Sequence, residues 1–192
     1  MTPAQPATLE DTLAEAFRLL ARGARDPGSP FHTPTLATAG LDGAPNLRTV
    51  VLRAFDPAAR SLRIHTDRRS AKTAELARDA RAMLHGYDPE AQVQLRLAGV
   101  ATLHLDDAIA DDAWASSRET TRMCYAAGHA PGVPLPAPPA APQDADAGRP
   151  HFAAVTLRVD SLDWLLLARA GHRRARFDWN AAGTLSSTWI AP

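Results

Sequence analysis

Apolar positions change their period along this chain. Leu9, Leu13, Phe17 and Leu20 recur at helical spacing, which predicts an amphipathic helix over residues 8–25. Thr8 can cap it, with Asp11 three residues later as a weak capping box, and Asp26-Pro27-Gly28 stops it. From Thr33 the texture is that of short strands and turns. Strands are predicted over 35–39, 47–55 and 62–66, separated by turns at 41–45 and at Asp56-Pro57; Asp42-Gly43 is a strong hairpin signal. A helix over 71–81, a strand over 82–87, a turn at Asp88-Pro89 and a long strand over 92–105 follow, with a bulge expected near Gly99. Residues 106–125 read as one or two helices. Strands return over 152–159, 162–167 and 173–177, and again over 184–190 after a turn at 180–183. This sum of elements predicts an α+β protein built on an antiparallel β-barrel, with an N-terminal helical segment over 1–30 and the barrel domain over 31–192.

Residues 129–150 hold seven of the sixteen prolines and show no apolar periodicity, so they read as a solvated loop or as a lid over a ligand site. A chain of 192 residues can bury roughly 70% of the surface its unfolded form exposes. No cross-link is needed for stability. The 21 basic and 21 acidic residues cancel, which argues against nucleic acid or an anionic membrane as a partner and makes any anion site a matter of local clustering. Cys124, the single cysteine, excludes an internal disulfide and suits a reducing compartment; its neighbours Met123 and Tyr125 suggest a buried thiol. The first residues carry no apolar leader and no run approaches the roughly 18 apolar residues of a membrane span, so the expected location is cytoplasmic. The seven histidines lack metal-ligand spacing, and no metal site is expected.

Two segments carry the candidate chemistry. Arg48-Thr49-Val50-Val51-Leu52-Arg53 is a β-branched run closed at both ends by guanidinium groups. His65-Thr66-Asp67-Arg68-Arg69-Ser70-Ala71-Lys72 leaves a strand and enters a helix, which gathers hydroxyls, an ammonium group and free backbone N–H groups at a helix N-terminus. That combination suits a phosphate monoester. Bland readings stand beside it: Ser70 as a plain N-cap, Lys72 as a first-turn charge, Arg48 and Arg53 as solvated strand ends on opposite faces of one strand. Gln94 and Arg96 alternate with Leu95 and Leu97, as on a strand with one wet face.

Taken in order with Gln94-Leu95-Arg96-Leu97-Ala98-Gly99, Arg173-Arg174-Ala175-Arg176-Phe177 and the terminal Trp189-Ile190-Ala191-Pro192, these segments resemble the pyridoxamine 5′-phosphate oxidase family over roughly residues 30–192. The resemblance implies an FMN-binding split β-barrel and a homodimer with FMN at the interface. It implies Arg48, Thr49, Val50, Val51, Arg53, His65, Thr66, Ser70, Lys72, Gln94 and Arg176 as cofactor contacts. For a small anionic substrate it implies Arg53, Trp114, Arg118 and Arg174. Trp114, Arg118 and Arg122 match a family triplet only at its central arginine, and Trp114 also reads as core packing. Ala71 stands where the family commonly has a basic residue, which Arg68 or Arg69 can replace, and His172 and Arg174 stand in exchanged order. These departures fall mostly on the substrate side. Three readings stand: an FMN-dependent oxidoreductase with an altered substrate, a flavin or B6-phosphate carrier without turnover, or a non-flavin β-barrel interaction module in which these basic residues are surface charges.

Overall fold

A computed structural model describes residues 6–192, so positions 1–5 of the expected N-terminal segment, and the reading of a missing leader, lie outside the described residues. Helix α1 (Leu9–Arg25) starts at the expected cap: Thr8 Oγ1 accepts the Asp11 N–H at 3.0 Å and donates to the Asp11 carboxylate at 2.8 Å. Its Ala16, Leu19 and Leu20 are buried in the main core, where α1 lies against strands introduced below.

The nine strands are β1 (Thr35–Ala39), β2 (Pro45–Thr49), β3 (Leu52–Asp56), β4 (Ser61–Asp67), β5 (Arg81–Asp88), β6 (Val93–His104), β7 (Phe152–Leu166), β8 (Arg173–Trp179) and β9 (Leu185–Ile190). Every pairing is antiparallel, in the order β2-β1-β5-β6-β7-β4-β3, with β8 and β9 extending from β7. The first half of β7 pairs with β4 and its second half with β8, which splits the sheet. The helices α2 (Ala71–Arg78), α3 (Ala108–Ala115) and α4 (Glu119–Arg122) flank it. The core centres on the fully buried Trp164, with Leu52, Leu62, Leu95, Leu162 and Phe177 around it.

Several expectations change. The single strand over 47–55 is two: β2 pairs with β1, β3 pairs with β4, and Val50 and Val51 leave the ladder between them while the Val50 N–H donates to Pro34 O at 2.9 Å. The hydrogen-bonded sheet therefore stays open, and its two edge strands are joined only by this covalent link. Conversely, the strands over 152–159 and 162–167 are one 15-residue strand. Ala98 faces Ser161 and Gly99 faces Val159, so Asp160 is the extra residue of a bulge that bends β7 without ending it. Of the one or two helices expected over 106–125 there are two, separated at Ser116 and Ser117, whose hydroxyls donate to the Asp112 and Ala113 carbonyls at 2.8 and 2.7 Å. Trp114, Arg118 and Arg122 therefore do not share one helix face. Cys124 is exposed, not buried, because α4 ends just before it and turns it outward. Helix α2 ends at Arg78, three residues short of the expected 71–81. Residues 129–144 form no regular element and are mostly exposed.

Gly99 sits where the sheet is tightest. A Cβ there would stand 1.9 Å from the Arg158 carbonyl oxygen, and backbone cannot yield as a side chain can. Gly99→Ala should destabilise the fold by at least about 1–3 kcal/mol. Chemical denaturation of the parent and variant measures this; an unchanged midpoint would mean that β6 and β7 approach less closely than described.

Candidate anion cradle and facing cleft

Strand β4 sends successive side chains to opposite sides, and the site divides accordingly. On one side Thr66 meets the start of α2. Lys72 Nζ donates to Thr66 Oγ1 at 3.0 Å and to Ser70 Oγ at 3.2 Å, and the two hydroxyls lie 3.3 Å apart. Ser70 occupies the N-cap position of α2, yet its side chain makes no capping bond. Its hydroxyl is turned to Lys72 and Thr73 instead, which sets aside the plain N-cap reading. The first N–H groups of α2 are left for another acceptor. Among the described residues no carboxylate lies within ion-pair distance of Lys72. Burial, then the Arg48 charge, hold its ammonium pKa below the ordinary value.

Arg48 reaches this cradle from β2. Its guanidinium donates to Thr38 Oγ1 and, at 2.8 Å, to Glu75 Oε2. Glu75 also accepts from Thr38 Oγ1 at 2.5 Å and Asn46 Nδ2 at 2.6 Å. Burial alone would raise the Glu75 pKa, but these hydrogen bonds and the Arg48 charge outweigh it and lower it. Glu75, Thr38 and Asn46 were not among the sequence candidates. The available signal was a carboxylate one residue before the buried Leu76 of a short helix, an expensive position unless it is paired.

On the other side of β4 lies a cavity of about 310 Å³, with Arg53 and His65 from the sheet and Arg118 from the α3–α4 corner on its walls. Arg53 points here because it is the unpaired residue of a register shift: Leu52 faces Ile64 and Ala54 faces Arg63. Its Nε and both ring nitrogens of His65 are buried without a hydrogen-bond partner. Burial first, then the Arg53 and Arg63 charges, push the His65 pKa down to about 3, so the imidazole is neutral and offers one donor and one acceptor.

The remaining candidates are elsewhere. Gln94 lies on the outward face of β6, where its Oε1 meets His85 Nε2 at 3.2 Å. Arg174 is bidentate to Asp163, and Arg176 bonds to Asp178 at 2.8 Å. Trp114 packs against Phe152 and Tyr125 in a small second core, with the Arg122 guanidinium over its ring. Thr49, Val50 and Val51 span the strand break. Of the two arginines that could stand in for a basic residue at Ala71, Arg68 pairs with Asp106 and Arg69 with Asp67. One chain thus brings together Arg48, Thr66, Ser70 and Lys72, and separately Arg53, His65 and Arg118.

Residues 14–105 match the family model described as pyridoxamine 5′-phosphate oxidase, FMN-binding domain. A pyridoxine/pyridoxamine 5′-phosphate oxidase of Anaeromyxobacter dehalogenans is 34% identical over 121 residues, 63% of this chain and 60% of that protein. The matched region thus spans less than two thirds of that relative. Pyridoxine/pyridoxamine 5′-phosphate oxidase 2 of Arabidopsis thaliana is 29% identical over 169 residues, covering 81% of this chain and 83% of the relative. The solved structure of a pyridoxamine 5′-phosphate oxidase-related, FMN binding protein from Nostoc punctiforme superposes with a TM-score of 0.76 at 26% identity, covering 93% of this chain and 96% of that one. Fold and cradle together define an FMN-binding split barrel. The chain is similar to the pyridoxamine 5′-phosphate oxidase family over residues 14–105, and FMN is the cofactor of the domain matched there. The cradle fits that group, since a phosphate would supply the direct ion pair that Lys72 lacks among the described residues, where the Asp67 and Glu75 charges act only from a distance.

Lys72→Met should therefore separate binding from stability. Loss of one charge-assisted contact of about 1.5–3 kcal/mol weakens FMN roughly 10- to 100-fold. The FMN-free variant should melt no lower than the parent, because a half-buried cation facing Arg48 has been removed. Fluorescence titration with FMN and thermal melts of the stripped protein check both; a destabilised apo variant would make Lys72 a structural residue.

Proposed function

We propose that this chain is an FMN-dependent oxidoreductase acting on a small anionic substrate, in a cytoplasmic setting and as a homodimer. The observation that carries the reading is the Lys72 ammonium group, caged by two hydroxyls, without a carboxylate partner and beside Arg48. When bound, FMN supplies the redox step by exchanging a hydride equivalent, and the protein positions the reactants. Lys72, Ser70, Thr66 and Arg48 hold the phosphate end, and the backbone at Thr49, Val50 and Val51 borders it. Arg53 and Arg118 receive the anionic group of the substrate. His65, neutral across the working range, donates one hydrogen bond and accepts another without adding charge.

Self-association is supported by the outward face of β1, β5, β6 and β7. Ala37, Met83, Ala98 and Val100 line an apolar depression there of about 560 Å³. Tyr87 and Val100, both 39% exposed, leave more apolar surface outward. Gln94, Arg174 and Arg176 share this side of the sheet, so pairing through it would carry them toward a second copy. Light scattering should report a dimer that Met83→Glu dissociates, with flavin lost on desalting; a monomeric parent that still retains flavin would overturn the dimer.

Turnover is tested directly. The purified protein should show flavin absorbance that survives desalting, and anaerobic addition of pyridoxamine phosphate, pyridoxine phosphate or another small anion should bleach it. The names of the relatives make the two B6 phosphates the first substrates to try. Tight binding of flavin or B6 phosphate without bleaching by any candidate, and without reoxidation of chemically reduced flavin by acceptors, would favour a carrier.

A further inference from the structure

Arg53 and Arg118 are not the only cations on the cleft. Arg25, at the last turn of α1, and His32, in the short 3-10 turn Pro30–His32, line the same cavity. Both are held in place. Arg25 Nε donates to the Ala21 carbonyl at 3.1 Å, which leaves its terminal nitrogens for the cavity. His32 Nδ1 donates to the Gly23 carbonyl at 2.7 Å, which leaves Nε2. The corner that carries them is closely packed, since a Cβ at Gly23 would stand 2.7 Å from the Phe31 carbonyl oxygen.

The charge balance of the cavity is unusual for this chain. Elsewhere arginines are mostly matched to a carboxylate, as in Arg48 with Glu75, Arg69 with Asp67 and Arg174 with Asp163. Among the described residues Arg25, Arg53 and Arg118 have no ion pair, and no Asp or Glu lines the cavity. Three guanidinium groups around about 310 Å³ exceed what one phosphate dianion neutralises. Arg53 lies on the sheet side with buried, partnerless nitrogens around it, while Arg25 and Arg118 are exposed at the rim.

We propose that the cleft takes a ligand bearing two anionic groups, phosphate or carboxylate, the first held between Arg53 and Arg118 and the second read by Arg25 with His32 beside it. The proposal rests on the reading of this cleft as the substrate side of an FMN protein and narrows the substrate class from a single anion to a dianionic pair. Arg25 is then a specificity-determining residue supplied by the N-terminal helix.

Orthophosphate and pyrophosphate serve as probes, titrated calorimetrically into the FMN-loaded protein so that the Lys72 cradle is filled. Pyrophosphate should bind more tightly than orthophosphate. Arg25→Gln, an exposed substitution, should weaken pyrophosphate about tenfold while changing orthophosphate less than about twofold, and Arg118→Gln should weaken both. No binding of either ion, or equal effects of Arg25→Gln on the two, would overturn the proposal. Flavin absorbance read in the same samples keeps the two readings apart. Failure to load FMN would count against the cofactor reading alone, and the titration, repeated on a Lys72→Met background, would still decide the cleft.

Discussion

An open antiparallel sheet whose first and last strands are consecutive in sequence has to pass the chain from one edge to the other, and that passage is the two-residue break at Val50 and Val51. A regular strand could not pair with β1 at one end and with β4 at the other, because sheet twist carries those neighbours apart. Leaving the ladder for two residues lets β2 and β3 take different directions. Val50 is buried and its N–H is satisfied by Pro34, so the break exposes no unpaired donor there. With the bulge at Arg53, it sends the two guanidinium groups of one short segment to different places. Arg48 goes to the cradle and Arg53 to the cleft.

Electrostatics then separates the two. In the cradle the cations Arg48 and Lys72 are close enough to disfavour each other, and Glu75 offsets this by binding Arg48. The result is an ammonium group that is held in place but under-compensated. A bound phosphate fits that state better than solvent does, since the hydroxyls and helix N–H groups are already ordered. In the cleft no acidic residue plays the part of Glu75. Its floor holds nitrogens that have given up water without gaining a partner, a costly condition in a chain whose other buried polar groups are mostly satisfied. The salt bridges of Arg174 and Arg176 differ in kind: the Arg174–Asp163 pair is bidentate and mostly buried, whereas the Arg176–Asp178 pair is about half exposed and worth little.

Much of this was legible in the residues. The periodicity of α1, its Thr8 cap, the bulge at Gly99 and the clustering of Thr66, Ser70 and Lys72 all depend on local chemistry, and local chemistry is written in order along the chain. The strand break at Val50 was not legible, because Val-Val is a strong strand signal and only the need to pair with two distant neighbours overrides it. The continuity of β7 through Asp160 was hidden for the converse reason. A polar pair reads as an interruption until pairing with Ala98 and Gly99 of β6 shows Asp160 to be the extra residue of a bulge. Glu75 escaped because a carboxylate on a short helix is ordinarily solvated, and its partners Thr38 and Asn46 come from strands far away in sequence. Cys124 was misread as buried from apolar neighbours, although the break at Ser116 and Ser117 had already changed which way that segment faces.

The two anion sites also differ in what their walls cost to change. The cradle is built from β4, β2 and the first turn of α2, and its residues share hydrogen bonds with the sheet; altering one disturbs several. The cleft takes Arg53 and His65 from the sheet, but its rim comes from the end of α1 and from the α3–α4 corner. Those segments contribute exposed side chains that no other contact requires. A split barrel of this design can keep one fixed anion cradle and alter the charge and shape of the facing cleft through a helix end and a loop. The departures from the family pattern at Trp114, Arg122 and Ala71 leave the cradle's hydroxyls and ammonium group intact. On the proposed reading, selectivity would be set by the layer outside the barrel, where the unmatched guanidinium groups Arg25 and Arg118 lie.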